Sequence, residues 1–441
     1  MTTLSMDDQA VFSYYIRLAV RSFKSSPAVT VLLIFVMSFG IGSTVVAYSI
    51  FHSLTADPLP GRSQSLYYVR MDLTPSSYQK KGRDPADSMT YRDAKYLLGL
   101  DDGHAKFASA STTGIVYTDD VTRPYREAHG HFVTSDFFRL AGLSVVKGDV
   151  WSRETDEGAA NVIVVTDSFS KLLFGSDPPL GKNIYIAEKQ FRVIGVVKDD
   201  LPYPSFYSDT DTPAFRLVDQ YFIPMSAALS QGLPTTSNVS CWGDELAEFP
   251  LQSDQCTWVQ FWVHLPVGEE KEKYEHALSA YVDQRLGHDA GKINDGIKLY
   301  DLMGWLKERG IVSGAVKTQV VIAFAFLAIC IVNCSGLMLT RSLRRAREIY
   351  IRRALGASRK DILYQVGMEA VIICFAGGVF GTAAAVLFQT MVDHGVSVDA
   401  SVINVGFDAN VYVYSMICSI LAGLTMGLIP AIKLSRTSAA A

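Results

Sequence analysis

The 441-residue sequence lacks the catalytic signatures of common hydrolases. It holds neither the nucleophilic-serine pattern GxSxG nor the zinc-binding pattern HExxH, and its eight histidines are scattered, with His129 and His131 as the one close pair. Two imidazoles are fewer than the three or four ligands that a metal normally requires. We therefore expect no metal site and no catalytic residue in this chain.

A nucleotide-binding loop is also missing. Residues 175–183 come nearest to one, but Gly175 and Gly181 are six residues apart instead of five, and Asn183 stands where a serine or threonine would hold magnesium. We expect a strand to follow, so no helix N-terminus would face a phosphate. The segment is predicted to be a turn.

A strong net charge is absent as well. The chain has 40 Lys and Arg against 44 Asp and Glu, a formal net charge of -4, which does not indicate nucleic-acid binding. With 49% hydrophobic residues, 19% charged residues and a mean hydropathy of +0.18, the chain is more apolar than an ordinary soluble protein. Part of it must lie in lipid and part in water.

Four apolar runs are long enough to cross a bilayer, for which about 20 residues suffice. The first contains no Asp, Glu, Lys or Arg and is about twice as long as the core of a cleavable signal peptide. The predicted division is an interfacial helix (1–27), a first span (28–54), an aqueous domain (55–315), a second span (316–340), a basic segment (341–365), a third span (366–392), a short loop (393–410), a fourth span (411–432) and a tail (433–441).

The orientation of the chain follows from its basic residues. Residues 341–360 hold eight Lys or Arg against one Glu, whereas residues 393–410 hold three Asp and no basic residue. The positive-inside rule places the first segment in the cytoplasm and the second outside. Both termini are then cytoplasmic, and the aqueous domain is periplasmic. Arg17, Arg21 and Lys24 on one face of the N-terminal helix suit a position in the membrane interface.

Strands and helices are interleaved in the aqueous domain, which predicts an α+β fold of two subdomains. Strands are predicted at 66–71, 115–118, 162–166, 184–186, 191–197 and 258–265, and helices at 90–100, 135–140 and 269–286. Residues 198–257 are predicted to form an elaborated loop region. From Lys298 to Val316 the apolar residues keep helical spacing into the second span, and three glycines leave a kink open.

The six cysteines fall into two groups. Cys241 and Cys256 lie in the aqueous domain, where an oxidising compartment would let them form a disulfide. Closing this loop of about 15 residues would stabilise the fold by roughly 3 kcal/mol. The other four, which lie in apolar runs and are expected to be free, are Cys330, Cys334, Cys374 and Cys418.

Small residues recur at short spacing in the spans, where they either let helices approach closely or are merely tolerated by lipid. These candidate packing positions are Gly40, Gly42, Gly377, Gly381, Gly423 and Gly427.

The basic segment has an internal pattern that a simple lipid anchor would not need. A narrow apolar stripe predicts one helix, Leu355-Gly356-Ala357 breaks it, and Ser358 with Asp361 can cap the next helix. We therefore expect a shaped surface on which a cytoplasmic protein docks, rather than a segment that only contacts anionic lipid.

The same residues resemble a known family. Arg347–Ile362, together with Glu369 and Gly377–Gly381, is similar to the signature of the FtsX-like, MacB-type ABC transporter permeases, approximately EIGIRKALGA. Tyr350 replaces a small residue of that signature. Val133–Phe138 and Phe191–Val197 resemble motifs of the family's extracytoplasmic domain, and Gly427–Ala431 resembles its closing motif.

The resemblance implies a permease that works as a homo- or heterodimer with a cytoplasmic ABC ATPase dimer. ATP and magnesium would bind to that partner, and this chain would need no cofactor. Since only 27 residues precede the first span, we expect the ATPase to be another polypeptide. The coupling surface carried over from the family consists of Arg347, Glu348, Ile349, Arg352, Arg353, Ala354, Leu355, Gly356 and Ala357.

The leading hypothesis is that ATP hydrolysis moves the periplasmic domain to export a drug, peptide, toxin or lipid-linked substrate, with or without an adaptor and an outer-membrane channel. It relies on an expected absence of ionisable residues inside the spans, which disfavours a polar path through the membrane. The alternative is an FtsX-like signalling protein that controls a periplasmic partner such as a cell-wall hydrolase, or that releases lipoproteins.

Overall fold

The computed structural model describes residues 6–71, 73–74, 86–120, 126–209, 218–242, 250–266, 270–287, 297–311, 314–356, 358–395 and 409–436. The helices are α1 Met6–Ser25, α2 Pro27–Thr55, α3 Tyr91–Gly99, α4 Phe137–Leu140, α5 Arg153–Glu157, α6 Asp167–Phe174, α7 Met225–Ser230, α8 Glu270–Leu286, α9 Leu302–Glu308, α10 Gly314–Arg344, α11 Ala346–Ala354, α12 Arg359–Gly395 and α13 Ala409–Arg436.

The strands are β1 Leu66–Met71, β2 Met89–Thr90, β3 Lys106–Thr118, β4 Arg126–Val133, β5 Val145–Gly148, β6 Val162–Thr166, β7 Asn183–Ile186, β8 Lys189–Val197, β9 Tyr221–Pro224, β10 Ser240–Cys241, β11 Cys256–His264 and β12 Ile297–Asp301. The chain divides into a helical unit, which contains α1, α2 and α10 to α13, and an α+β unit, which contains the elements between α2 and α10.

Four helices of the helical unit are long and apolar enough to cross a membrane. The qualifying stretches are Pro27–Thr55, Val316–Arg344, Arg359–Leu387 and Val413–Lys433. At 1.5 Å per residue, each of them exceeds the roughly 30 Å of a hydrocarbon core. The prediction of four membrane helices is therefore confirmed.

The α+β unit is built on a mixed sheet. Its strands follow the order β12-β1-β11-β3-β4-β9-β6-β8-β5, with β2 and β10 paired to β11 and β7 paired to β3 and β8. Most neighbours are antiparallel, but β4 with β9 and β6 with β8 run parallel. The predicted α+β class is confirmed, and the further division into two subdomains stays a prediction.

Both faces of this sheet are buried, because neighbouring residues of one strand enter different hydrophobic clusters. In β1, Tyr68 packs in one cluster and Val69 in the other. In β11, Trp262 and Phe261 divide in the same way. This alternation is the two-residue period of a strand, so the sheet separates two apolar layers.

The two ends of the α+β unit are tied together in one of these layers. Tyr68 stacks on Trp305 with ring centroids 3.7 Å apart, and the backbone nitrogen of Leu302 donates to the carbonyl oxygen of Ser63 at 3.2 Å. Tyr68 lies shortly after α2, and Trp305 lies shortly before α10. The segments that lead toward the two membrane helices are therefore fastened to each other.

Three expectations from the sequence need correction. Lys298–Val316 is not one helical segment, because Leu299 lies in β12 opposite Val69 of β1 and the helix α9 starts only at Leu302. Strand β3 begins at Lys106, nine residues before the predicted strand start at Ile115. The predicted loop region 198–257 contains β9, which pairs in parallel with β4 inside the sheet.

Candidate functional site

The basic segment forms the short helix α11 between two membrane helices. Only Arg345 separates the last residue of α10 from the first of α11, so the two helices are nearly continuous. Gly356 follows α11 with a backbone φ of +103°, which glycine adopts readily and other residues rarely do. The chain can therefore turn there and start α12 at Arg359.

The start of α12 carries the predicted cap. The carboxylate of Asp361 accepts the backbone N–H of Ser358 at 2.7 Å, and the hydroxyl of Ser358 accepts the backbone N–H of Asp361 at 3.3 Å. This reciprocal pair satisfies two amide groups that the first turn of a helix would leave unpaired. Helix, glycine turn and capped helix thus follow one another as the sequence predicts.

An ion-pair ladder runs along α11. Glu348 accepts hydrogen bonds from Arg345 at 3.0 Å and from Arg352 at 2.9 Å. Partial burial opposes ionisation of Glu348, but the hydrogen bonds and charges of the two arginines outweigh it, so the pKa of Glu348 lies below its usual value. Ile349 packs against the apolar core of the helical unit. Of these predicted coupling residues, Ile349 packs against the helical unit and Arg352 donates to Gln365 of α12 at 3.4 Å, whereas Glu348 stabilises the segment locally.

The outer side of α11 is apolar and exposed. Ile351 is 55% exposed and Leu355 is 83% exposed, and the backbone nitrogen of Leu355 donates to the carbonyl of Ile351, so the two side chains lie one helical turn apart. Arg347, one turn before Ile351, is also exposed. An exposed apolar pair between arginines is a surface that a partner protein can cover, whereas single exposed apolar side chains would need no explanation.

The remaining predicted coupling residues are less informative. Ala354 and Gly356 are exposed at the end of α11. The side chain of Arg353 and the whole of Ala357 lie outside the part of the chain that the structure describes. Ile351 was not among the predicted coupling residues, although its position four residues before Leu355 on a helix could have indicated it.

Among the described residues of the helical unit, Arg341 and Glu369 are buried. Glu369 lies in the predicted third span and corrects the expectation that the spans hold no ionisable residue, whereas Arg341 lies at the start of the predicted basic segment. Arg341 in α10 is 6% exposed and Glu369 in α12 is 5% exposed. Glu369 lies 3.8 Å from a guanidinium nitrogen of Arg345. A buried charge needs a partner, and the partners of Arg341 and Glu369 are distant in the sequence. The sequence therefore could not show that these two residues would be buried.

The predicted packing glycines lie where membrane helices approach each other. A Cβ atom added to Gly42 would lie 2.9 Å from the carbonyl oxygen of Gly381, and one added to Gly377 would lie 2.9 Å from the Cβ of Met37. A Cβ atom added to Gly40 would lie 3.1 Å from the sulfur of Cys330. Helix α2 therefore contacts both α10 and α12 through small residues.

Helices α12 and α13 pack in the same manner. A Cβ atom added to Gly423 would lie 2.7 Å from the Cα of Val371, and one added to Gly427 would lie 2.9 Å from the Cβ of Ala370. Both glycines face α12 and none of the six predicted positions points into open space.

The two cysteines of the α+β unit lie opposite each other on β10 and β11. The sulfur atoms of Cys241 and Cys256 are 2.08 Å apart, as in the predicted disulfide. The free cysteines Cys330, Cys334 and Cys374 are buried in the helical unit, and Cys418 is partly buried there.

The α+β unit contains a hydrogen-bonded group that has the order of a Ser-His-Asp triad. The hydroxyl of Ser208 lies 2.9 Å from Nε2 of His131, whose Nδ1 lies 2.9 Å from Asp219, and Tyr207 donates to the same carboxylate at 2.7 Å. However, Ser208, His131 and Asp219 are at most 1% exposed. No substrate can reach the hydroxyl in this arrangement, so the group fastens the residues around Tyr207 to the sheet.

His129 does not join His131 in a metal site. Its Nδ1 lies 2.8 Å from the hydroxyl of Thr113, whereas His131 is engaged with Asp219. Among the described residues no group of three or more potential ligands is found.

A cleft of about 460 Å³ opens between α3, α5 and α7 in the α+β unit. Its buried charges already have partners within the protein. Lys106 donates to two backbone carbonyls and lies 2.6 Å from Asp102, while Asp156 accepts from the backbone of Ser135 at 3.2 Å and the hydroxyl of Ser226 at 3.1 Å. Burial raises the pKa of Asp156 to about 6, against the opposing effect of those hydrogen bonds.

Two protein-family models together match most of the chain. Residues 30–281 match the MacB-like periplasmic core domain, and residues 320–439 match the FtsX-like permease C-terminal region. The first match alone covers more than half of the 441 residues.

The chain is also similar to named relatives. The chain is 25% identical over 352 residues to the macrolide export ATP-binding/permease protein MacB of Vibrio parahaemolyticus, which covers 78% of this chain and 46% of that protein. It is also 25% identical over 305 residues to the MacB protein of Haemophilus ducreyi, covering 68% of this chain and 38% of that protein. The chain thus spans less than half the length of these two relatives.

Solved structures show a weaker likeness. The periplasmic region of MacB from Actinobacillus actinomycetemcomitans aligns with 55% of this chain and 91% of its own, at 15% identity and a TM-score of 0.36. The extracellular domain of the noncanonic ABC-type transporter YknZ from Gram-positive bacteria aligns with 53% of this chain and 99% of its own, at 13% identity and a TM-score of 0.36.

Proposed function

The chain belongs to the family of inner-membrane ABC permeases that combine a MacB-like periplasmic core domain with an FtsX-like permease region, and from this premise we propose that it couples ATP hydrolysis by a partner to movement of its periplasmic domain. The partner is a cytoplasmic ATPase dimer that binds ATP and magnesium. The permease itself works as a dimer of two copies or of two related chains.

The observation that carries this proposal is the exposed apolar face of α11. Ile351 and Leu355 are exposed, while Ile349 on another face of the helix packs against the apolar core of the helical unit. An exposed apolar pair flanked by arginines is suited to binding a folded protein, which can cover the apolar side chains. On a lipid surface, the same pair would have to enter the headgroup region.

Movement of α11 has a direct path along the membrane helices. Because only one residue separates α11 from α10, a shift of α11 displaces a helix of 31 residues, about 46 Å long. Helix α2 contacts α10 through Thr44, whose hydroxyl donates to the carbonyl of Ala323 at 3.3 Å, and α12 through Gly42. Helices α2 and α10 are the two that continue toward the periplasmic domain.

The transported substrate is exported or released from the periplasmic side, which is consistent with the similarity of the chain to a protein named for macrolide export. The buried ionisable residues of the spans support this over a polar path through the membrane, because Arg341 and Glu369 are engaged with protein partners. Loss of resistance or secretion after deletion would favour export, whereas an altered cell-wall hydrolase activity with no transported compound would favour signalling.

The proposal is tested by the triple replacement Arg352→Ala, Arg353→Ala and Leu355→Ala in the full chain. Purified with its ATPase, the variant should no longer stimulate ATP hydrolysis above the rate of the ATPase alone, while it still inserts in the membrane. Leu172→Ser, which removes an exposed apolar side chain of α6, is the matched control. Undiminished stimulation by the triple variant would contradict the proposed docking surface.

The orientation is tested separately by labelling with a membrane-impermeant maleimide. A cysteine at position 200, where the side chain of Asp200 is 81% exposed, should react in intact spheroplasts. A cysteine at position 355 should react only after the membrane is opened. The reverse pattern would place the basic segment outside and overturn the proposal.

A further inference from the structure

The sequence predicts helix α1 as an interfacial helix, and the structure adds that one of its faces is buried in protein. Tyr15, Ala19, Ser22 and Phe23 follow the spacing of one helical face, and Ala19 and Ser22 are 0% exposed. The basic residues of α1, by contrast, are exposed. The buried face indicates that α1 is held by the helical unit itself.

The first contact is centred on Ser22. Arg341 donates to both the carbonyl and the hydroxyl of Ser22, the latter at 3.1 Å, and also to the hydroxyl of Thr30 at 2.9 Å. Arg345 donates to the same hydroxyl of Ser22. The carbonyl of Ser22 belongs to the last turn of α1, where the helix dipole favours a positive charge, and it also accepts from the hydroxyl of Ser25 at 2.7 Å.

Glu369 supplies the negative charge of this cluster. Its carboxylate lies 3.8 Å from Arg345, and it is buried together with Arg341 and Ser22. The guanidinium of Arg341 also lies 5.5 Å from the ring centroid of Phe23. Without Glu369, the buried guanidinium of Arg341 would keep only neutral acceptors, whereas Arg345 would keep its partner Glu348, so the loss of charge compensation falls on Arg341.

The second contact is at the other end of the coupling segment. The hydroxyl of Tyr15 donates to Asp361 at 3.2 Å, and the other carboxylate oxygen of Asp361 caps α12 through Ser358. Tyr15 and Ser22 are seven residues apart, or about 10 Å along the helix. Helix α1 therefore contacts the residues on both sides of α11.

We propose that α1 is a strap that fixes the angle at which α11 meets the ATPase, with Ser22, Arg341 and Glu369 as its positioning residues. The effect of this strap on ATPase coupling rests on the proposed function, but the strap itself is a property of the permease alone. The alternative is that α1 is held by anionic lipid through Arg17 and Arg21, in which case the buried cluster has no effect on α11.

Hydrogen exchange of the full chain in lipid nanodiscs distinguishes the two. In the double variant Ser22→Ala and Glu369→Gln, exchange of residues 14–25 and of residues 346–356 should rise together by about tenfold or more, because the lost cluster frees both segments. Ser22→Thr, which keeps the hydroxyl, should stay close to wild type. The control Arg17→Gln with Arg21→Gln should leave both segments protected.

Two results would overturn the strap: unchanged exchange in the double variant, or faster exchange in residues 14–25 with residues 346–356 still protected. Loss of protection in the arginine control alone would show that lipid holds α1. Tryptophan fluorescence of the periplasmic domain verifies that the double variant is folded, since all five tryptophans lie there.

The effect of the strap on coupling is measured as stimulated ATP hydrolysis in the presence of the ATPase. The double variant should lower the stimulated kcat of ATP hydrolysis by about tenfold and leave the KM for ATP unchanged, because the nucleotide site is on the partner. Faster exchange with full stimulation would contradict the positioning role. If the wild-type chain binds no ATPase, the proposed function fails, and the exchange measurement still decides whether the strap exists.

Discussion

Gly42 and Gly381 lie backbone to backbone. A Cβ atom on Gly381 would be 2.4 Å from the carbonyl oxygen of Ser38 and 3.0 Å from the backbone nitrogen of Gly42. Contacts this short leave no room for any side chain, so the approach of α2 to α12 depends on hydrogen at these positions.

We expect Gly381→Ala to separate the two helices at a cost of about 1 to 3 kcal/mol, the range for an overpacked site. The measurement is the fraction of detergent-solubilised protein that stays monodisperse after heating. Gly336→Ala is the control, because a Cβ atom there meets nothing within 4 Å. Equal heat resistance of the two variants would show that α2 can shift without cost.

Removal of the carboxylate in Asp219→Ala should destabilise the periplasmic domain by about 3 to 5 kcal/mol, because His131 and Tyr207 lose a buried partner. Denaturant unfolding of the full chain, followed by tryptophan fluorescence, measures the change. Asp200→Ala, at an exposed carboxylate, should stay within about 0.5 kcal/mol of wild type. A small effect at Asp219 would mean that the buried group is not needed for stability.

The periplasmic domain should become less stable relative to an Asp156→Asn variant as the pH rises. Since the pKa of Asp156 is about 6 in the folded chain and 3.8 is its ordinary value, the folded state holds the proton more tightly. The resulting stabilisation is complete below the ordinary pKa and is lost as the pH rises through the folded pKa. Between about pH 4.5 and about pH 7.5 we expect wild type to lose about 2 kcal/mol relative to the variant.

This pH effect is measured by comparing denaturant midpoints of wild type and variant at the two pH values. Taking the difference between the two proteins removes the titration of all other groups. Parallel pH dependence of both proteins would show that Asp156 ionises normally in the folded domain.

Alkylation of the unfolded, unreduced protein should modify four cysteines and leave Cys241 and Cys256 protected. Mass spectrometry counts the added groups, and prior reduction should raise the count to all six cysteines. Replacing both cysteines by serine should lower stability by roughly 3 kcal/mol, the value expected for a loop of this length. Modification of all six without reduction would exclude the disulfide.

Local chemistry made much of this fold predictable. Strand β1 was predicted at its observed bounds, and the end of α11 followed from Gly356 and the Ser358–Asp361 pair. The basic cluster and the long apolar runs gave the four membrane helices. Each of these features is determined by residues within one or two turns of each other.

Features that depend on distant residues could not be predicted. Leu299 fits a helical pattern, but its pairing with Val69 places it in a strand. The start of β3 is rich in Ala, Ser and Thr, and its burial comes from neighbouring strands rather than from its own composition. Ser22 and Arg341 are 319 positions apart, so nothing in the sequence indicates their contact.

The stacked pair Tyr68 and Trp305 has a structural consequence. It joins the segment after α2 to the segment before α10 within the α+β unit. The two chain ends of this unit are therefore one packed structure, and loosening either ring would expose apolar surface at both ends.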